Sequence, residues 1–189
     1  MVHPARSGYL WTLERGPEGI NFVSGVPYVK QNVFTGLDPK TGRPSYNEAR
    51  KPGLNKLVEF CPSLWGGKDW PPAAYSRRTG MIYIPANENL CGSLTGKPMD
   101  YVPGQLFLGA GLEDIGLSIA PGATHIGELQ AWDLSTGKKA WSHPFPKSQL
   151  WGPVLATAGD LVFMGGTNDR MFRAFDARSG KVLWEQKTN

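Results

Sequence analysis

Four kinds of residue in this 189-residue chain have the types and settings for chemistry. Arg6 stands in the turn-like run His3-Pro-Ala-Arg-Ser-Gly8. A guanidinium is a planar, permanently charged fork able to stabilise a negative oxygen, although arginine is also at home as an exposed hairpin residue. Asn87 ends the apolar run Met81 to Pro85, where an amide either meets a ligand or closes an Asx-turn. Trp151, in Leu150-Trp-Gly-Pro-Val154, has an indole N–H that can donate to an anionic ligand, or a ring that packs. Cys61 and Cys91 are the only two cysteines, and two buried thiols are one reading of them. Asp69 and Trp70 lie in the same Gly- and Pro-punctuated stretch, where Gly66-Gly67 and Pro71-Pro72 mark close backbone approach. His3, His125 and His143 are too scattered to suggest a metal site, and neither CxxC nor HExxH occurs.

The elements that must position these residues follow from a repeat. AWDLSTGKKAW (Ala131 to Trp141) recurs as AFDARSGKVLW (Ala174 to Trp184), with the two aspartates 43 residues apart. That period falls within the roughly 40–45 residues of a four-stranded propeller blade. The Asp-to-Gly run suits a tight turn with glycine at positive φ, and the closing tryptophan suits packing on a neighbouring repeat. Trp132, Trp141 and Trp184 are therefore expected to dock blades. Asp38 to Gly42 is a weaker copy without the closing tryptophan, and Ala74 to Gly80 is a fourth turn of the same type.

Around these copies, Val2 to Arg15 reads as a hairpin and Ile20 to Val29 and Lys30 to Thr35 as short strands. Pro44 to Lys56 reads as a surface excursion, and Gln149 to Gly166 as two strands about an Ala-Gly-Asp turn. Residues 94–125, rich in Gly and Pro with few strand signals, read as a long loop insertion within a single propeller domain spanning 1–189. The expected class is all-β, with length for about four blades at this period, which is either a small ring or a piece of a larger one. Unpaired blade edges predict poor solubility for the chain by itself.

Composition narrows the function. The net charge of +4 is carried by Lys and Arg scattered singly at turn positions, without the basic stripe nucleic-acid binding needs, so a nucleic-acid partner is not expected. No apolar run approaches the roughly 20 residues of a membrane-spanning helix. Met1 is followed by VHPARSGYLW, which lacks the charged and apolar regions of a secretory signal.

The repeat Ala-x-Asp-x-x-Thr-Gly-x-x-x-Trp, together with ATAGDLVFMGG and HPARSGYLWTLER, resembles the quinoprotein alcohol dehydrogenases of the methanol/ethanol type over essentially the whole chain. The resemblance implies part of an eight-bladed propeller with tryptophan-docking repeats, the cofactor pyrroloquinoline quinone (PQQ), and a Ca²⁺ or lanthanide ion. It implies cofactor contacts at Arg6, which would stabilise the reduced quinone's oxygen, at Asn87, and at Trp151. A Cys61–Cys91 disulfide is implied too, in keeping with an oxidising periplasm. The family's base aspartate and metal ligands lie upstream of the HP-x-R-x-G stretch, so no catalytic base or metal ligand is expected among these residues, and the chain alone is expected to be inactive. A signal peptide is expected in an N-terminal part not included here. The parent enzyme would oxidise a primary alcohol to an aldehyde and pass electrons to a cytochrome c, and the resemblance allows a homo-oligomer or an accessory subunit. A non-catalytic periplasmic scaffold propeller and an inactive gene fragment are the alternatives.

Overall fold

The computed structural model describes Met1–Asn189, and its regular structure is almost entirely antiparallel strand. Strands β1 (Val2–Pro4), β2 (Tyr9–Gly16) and β3 (Gly19–Pro27) form the first sheet. A hairpin of β4 (Phe34–Leu37) and β5 (Pro44–Tyr46) follows, then β6 (Leu57–Phe60). The second blade contains β7 (Ala74–Ser76) and β8 (Met81–Ala86). It is completed, after the inserted strands β9 (Leu90–Thr95) and β10 (Ile115–Ile119), by β11 (Gly127–Asp133) and β12 (Lys138–Phe145). The last blade is β13 (Val154–Ala156), β14 (Leu161–Met164), β15 (Met171–Asp176) and β16 (Val182–Lys187), paired in sequence order.

The excursion between β8 and β11 is therefore not all loop. Residues 115–119 pair with Leu90 to Leu94 of β9, whose other edge pairs with β6, in a three-stranded sheet of their own. The sequence IGLSI carries too little alternation to announce a strand; its partner's free edge decides the conformation.

Burial on both faces explains why β8 reads as a near-continuous apolar run. Tyr83 and, from β11, Leu129 and Ala131 pack toward the last blade with Leu150, Val162, Met164 and Phe175. Ile82, Ile84 and Ala86 point the other way, toward Leu10 of the first sheet and Tyr28 and Val29 just after it. This is the period-two alternation of a strand with a neighbouring blade on each side.

The four turns share one construction. In the copies beginning at Asp38, Asp133 and Asp176, Oδ1 accepts the backbone N–H of the residues two and three positions on. The glycine N–H returns to the carbonyl of the first residue in all four turns, with Ser76 in the aspartate's place in the fourth. Gly42, Gly80, Gly137 and Gly180 all sit at φ near +70°, where a Cβ is disfavoured.

Docking follows in part. Trp141 of β12 lies over Gly180 of the next blade and donates its indole N–H to Ala177 O at 3.0 Å. Over Gly42, which has no tryptophan of its own, the ring of Phe22 takes the corresponding place. Trp132 docks too, but in the opposite seam, against the first sheet. Its side chain lies on the face of β11 opposite Leu129 and Ala131, as ordinary alternation places it, and its indole N–H donates to Gln130 Oε1 at 2.8 Å.

Candidate functional site

The residues singled out for chemistry come together where the β1–β2 turn, the 61–73 loop, the end of β8 and the 146–153 segment meet. Two glycines allow that meeting. A Cβ on Gly66 (φ +73°) would stand 2.8 Å from the Cβ and carbonyl oxygen of Arg6, and one on Gly67 would stand 2.6 Å from Val29 Cγ2. The loop can thus lie flat on the Arg6 turn, and Gly67 N–H donates to Arg6 O at 2.9 Å.

Arg6 spans out from this bed. One guanidinium nitrogen pairs with Asp69 Oδ2 at 3.3 Å, a second donates to Leu64 O, and the side chain keeps 58% of its surface exposed. Lys68 donates to Asp69 O at 2.7 Å, and burial pulls its pKa below the usual lysine value, with the charge of Asp69 opposing. The local balance of two cations to one carboxylate favours an anionic ligand.

Beside the cations are three indoles. Trp151 stacks on Trp70 with ring centres 6.0 Å apart and planes at 29°, and meets Trp65 edge-on at 5.4 Å. All three are part-exposed, in contrast to the buried rings of the seams. Trp151 therefore does not act as a blade-docking residue. Trp65 escaped the sequence reading. Its position just before Gly66-Gly67 is the signal that places a side chain at the point of close approach. Arg6, Leu64 and Trp65 also border a cavity of about 360 Å³ whose other wall is Leu112, Ile115 and Leu117 of the inserted segment.

Asn87 lies beneath this surface, 3% exposed. Its Nδ2 donates to Gly66 O at 3.3 Å, its Oδ1 accepts Leu150 N–H at 3.1 Å, and its backbone N–H donates to Gly67 O at 2.7 Å. One side chain thus ties the end of β8 to the loop carrying Trp65 and Trp70 and to the segment carrying Trp151. Cys61 and Cys91 form a disulfide that joins the start of the 61–73 loop to β9. No three His, Cys, Asp or Glu side chains converge in a group able to hold a metal ion.

Comparison with known proteins gives this arrangement a context. Residues 126–189 match the family model described as the β-propeller domain of glucose/ethanol/alcohol dehydrogenases, PQQ. The chain is 38% identical over 195 residues to the quinoprotein ethanol dehydrogenase of Pseudomonas aeruginosa, covering 99% of this chain and 30% of that protein. To the lanthanide-dependent methanol dehydrogenase of Methylorubrum extorquens it is 35% identical, covering all of this chain and 32% of that protein. Among solved structures, a europium-containing methanol dehydrogenase superposes with a TM-score of 0.87 at 30% identity, over 100% of this chain and 32% of its own. A quinohemoprotein alcohol dehydrogenase from Comamonas testosteroni gives 0.78 at 28% identity, over 99% of this chain and 28% of that one. The chain spans about 30% of the length of the curated relatives it matches. Over its whole length the chain is thus similar to quinoprotein alcohol dehydrogenases, and its blades correspond to a portion of the β-propeller of those proteins.

Proposed function

We propose that this chain forms one wall of the cofactor site of a PQQ-dependent alcohol dehydrogenase that oxidises primary alcohols to aldehydes and delivers the electrons to a cytochrome c. The observation that carries this reading is the juxtaposition of Arg6 with the part-exposed indoles of Trp65, Trp70 and Trp151. The donor set suits the group. PQQ is a planar, polyanionic quinone, and the site offers flat aromatic faces, two cations against one carboxylate, and a double glycine that keeps the loop close to the Arg6 turn.

When bound, PQQ supplies the two-electron acceptor that amino-acid side chains lack. The contribution of this chain is to bind and orient. Arg6 holds a permanent positive charge where negative charge on a quinone oxygen is to be favoured, and Asp69 fixes the direction of its fork. Trp151 offers a ring face and an indole N–H. Asn87 acts from below, through the two loops it brackets, with one amide hydrogen uncommitted. The metal, Ca²⁺ or a lanthanide, would be held by residues outside this set. A periplasmic location accords with the Cys61–Cys91 disulfide, since such bonds persist in oxidising compartments.

The test is reconstitution of the complete polypeptide carrying this sequence with PQQ and either Ca²⁺ or a lanthanide. Reduction of a cytochrome c that depends on a primary alcohol, and that falls at least about tenfold in the Arg6→Ala variant, is the expected result. PQQ binding of equal strength in wild type and Arg6→Ala would overturn the assignment of Arg6. Binding without alcohol-dependent electron transfer would overturn the reaction.

A further inference from the structure

We propose that Tyr28 and Gln130 are positioning residues for Arg6, forming a buried polar strut that sets the Arg6 turn from the neighbouring blade. The inference rests on the reading that Arg6 meets the cofactor.

The seam between the first sheet and the second blade is otherwise apolar, packed with Leu10, Val29, Ile82, Ile84 and Ala86. Polar side chains in such a seam cost free energy unless every hydrogen-bonding group is met. Here they are met, and the bonds run in one direction. Gln130 is 0% exposed, and its amide nitrogen donates both to Glu128 Oε2 and to Tyr28 O, each at 2.9 Å. Its amide oxygen accepts the indole N–H of Trp132. Glu128 is anchored in turn by His125 at 2.9 Å and Lys139 at 3.0 Å, so the far end of the strut is fixed.

At the near end, Tyr28 caps two carbonyls of the Arg6 turn. Its N–H donates to Gly8 O at 2.9 Å and its hydroxyl to Ala5 O at 3.0 Å. Arg6 lies between those two residues, and its own carbonyl takes the Gly67 N–H. The turn's internal bonds, Ala5 N–H to Tyr9 O and Gly8 N–H to Ala5 O, close it but do not orient it relative to the blades. Orientation comes from Tyr28 and Gly67. Gly67 is pressed against Tyr28, since a Cβ there would come within 2.8 Å of the phenol oxygen. Burial drives the Tyr28 pKa far upward, so the hydroxyl remains a donor at every working pH.

The test measures PQQ affinity of the complete polypeptide by titration for wild type, Tyr28→Phe, Arg6→Ala and the double variant, with thermal midpoints in parallel. Tyr83→Phe is the matched control. It deletes a buried hydroxyl bonded to Ala177 O at 3.1 Å in the other seam, remote from Arg6. Expected is a weakening of about three- to tenfold in Tyr28→Phe, the effect of one buried hydrogen bond. Tyr83→Phe should leave affinity unchanged, and Tyr28→Phe should add nothing in the Arg6→Ala background. Two results overturn the proposal while leaving the Arg6 reading intact: unchanged affinity in Tyr28→Phe when Arg6→Ala is impaired, or equal losses in both tyrosine variants. Unchanged affinity in Arg6→Ala overturns both.

Discussion

Trp141 and Gly180 stand on different blades and are fitted to each other: the indole lies where a glycine Cβ would be, 2.5 Å from the nearest ring carbon, and its N–H reaches Ala177 O three residues before that glycine. The turn needs glycine at that position twice over, for φ of +71° and for the ring above it. Gly180→Ala is therefore expected to lower stability by about 2–3 kcal/mol, through left-handed strain and displacement of the ring. Trp141→Phe, which keeps much of the packing but loses the bond to Ala177, should cost about 1–2 kcal/mol. Thermal midpoints of the two variants check the order. Gly137→Ala, whose turn carries no ring, should cost less than Gly180→Ala.

The Cys61–Cys91 bond closes a loop of 30 residues that contains the whole Trp65–Trp70 segment. Loop-closure entropy gives such a cross-link roughly 3–4 kcal/mol. The double variant Cys61→Ala, Cys91→Ala should melt well below the wild type. Wild type in dithiothreitol should approach the same midpoint, and equal midpoints with and without reductant would count against a stabilising role.

The repeated turn was legible because its bonds are local: Asp133 and Asp176 bond N–H groups two and three residues away, so composition and spacing dictate geometry. What depends on partners distant in sequence was not. Phe22 fills the tryptophan's place over Gly42 but comes from an earlier strand, where no spacing rule would look. β10 exists because β9 presents an edge. Arg6, Asn87 and Trp151 could be singled out in the sequence only one by one, as candidates. Only the fold reveals that Trp65 and Trp70 join Trp151, and that Asn87 lies below them rather than among them.

His143 gives stability a neutral-pH dependence. Half-buried between Phe145 and Phe175, it has its pKa lowered first by burial and then by the charge of Arg173. The unfolded chain takes up this proton near pH 6.5, before the folded one does. The stabilisation is thus present above about pH 6.5 and is lost as pH falls from there toward the depressed folded value. His143→Gln should flatten the thermal midpoint between about pH 7 and 5, with wild type falling over the same interval.

Asp169 acts in a lower window. Bonding to the Arg173 guanidinium, with help from Thr167, depresses its pKa to about 2 against burial. Its contribution is complete above about pH 4, where the unfolded carboxyl is also ionised, and disappears as pH falls toward 2. Asp169→Asn should lower stability at neutral pH and shrink the acid-induced loss between about pH 4 and 2, while leaving the His143 interval unaltered.

Asn87 links the blade scaffold to the indole cluster, and its two functions can be separated by chemistry. Asn87→Asp keeps an acceptor for Leu150 N–H but replaces the donor to Gly66 O with a second oxygen, placing a buried charge against a carbonyl. Asn87→Ala removes both bonds and leaves Leu150 N–H and Gly66 O unmet, a loss of about 2–4 kcal/mol. Aspartate should be at least as destabilising as alanine near neutral pH and should recover as the carboxyl protonates, because the neutral acid can again donate to Gly66 O. Tryptophan fluorescence reports the same event locally, since Trp65 and Trp70 ride on the Gly66-Gly67 loop and Trp151 on the segment after Leu150. A spectrum in either variant identical to wild type would mean that the loops hold their places without Asn87. A shift in both, reversed by acid only in Asn87→Asp, would show that the amide is the bracket setting the platform.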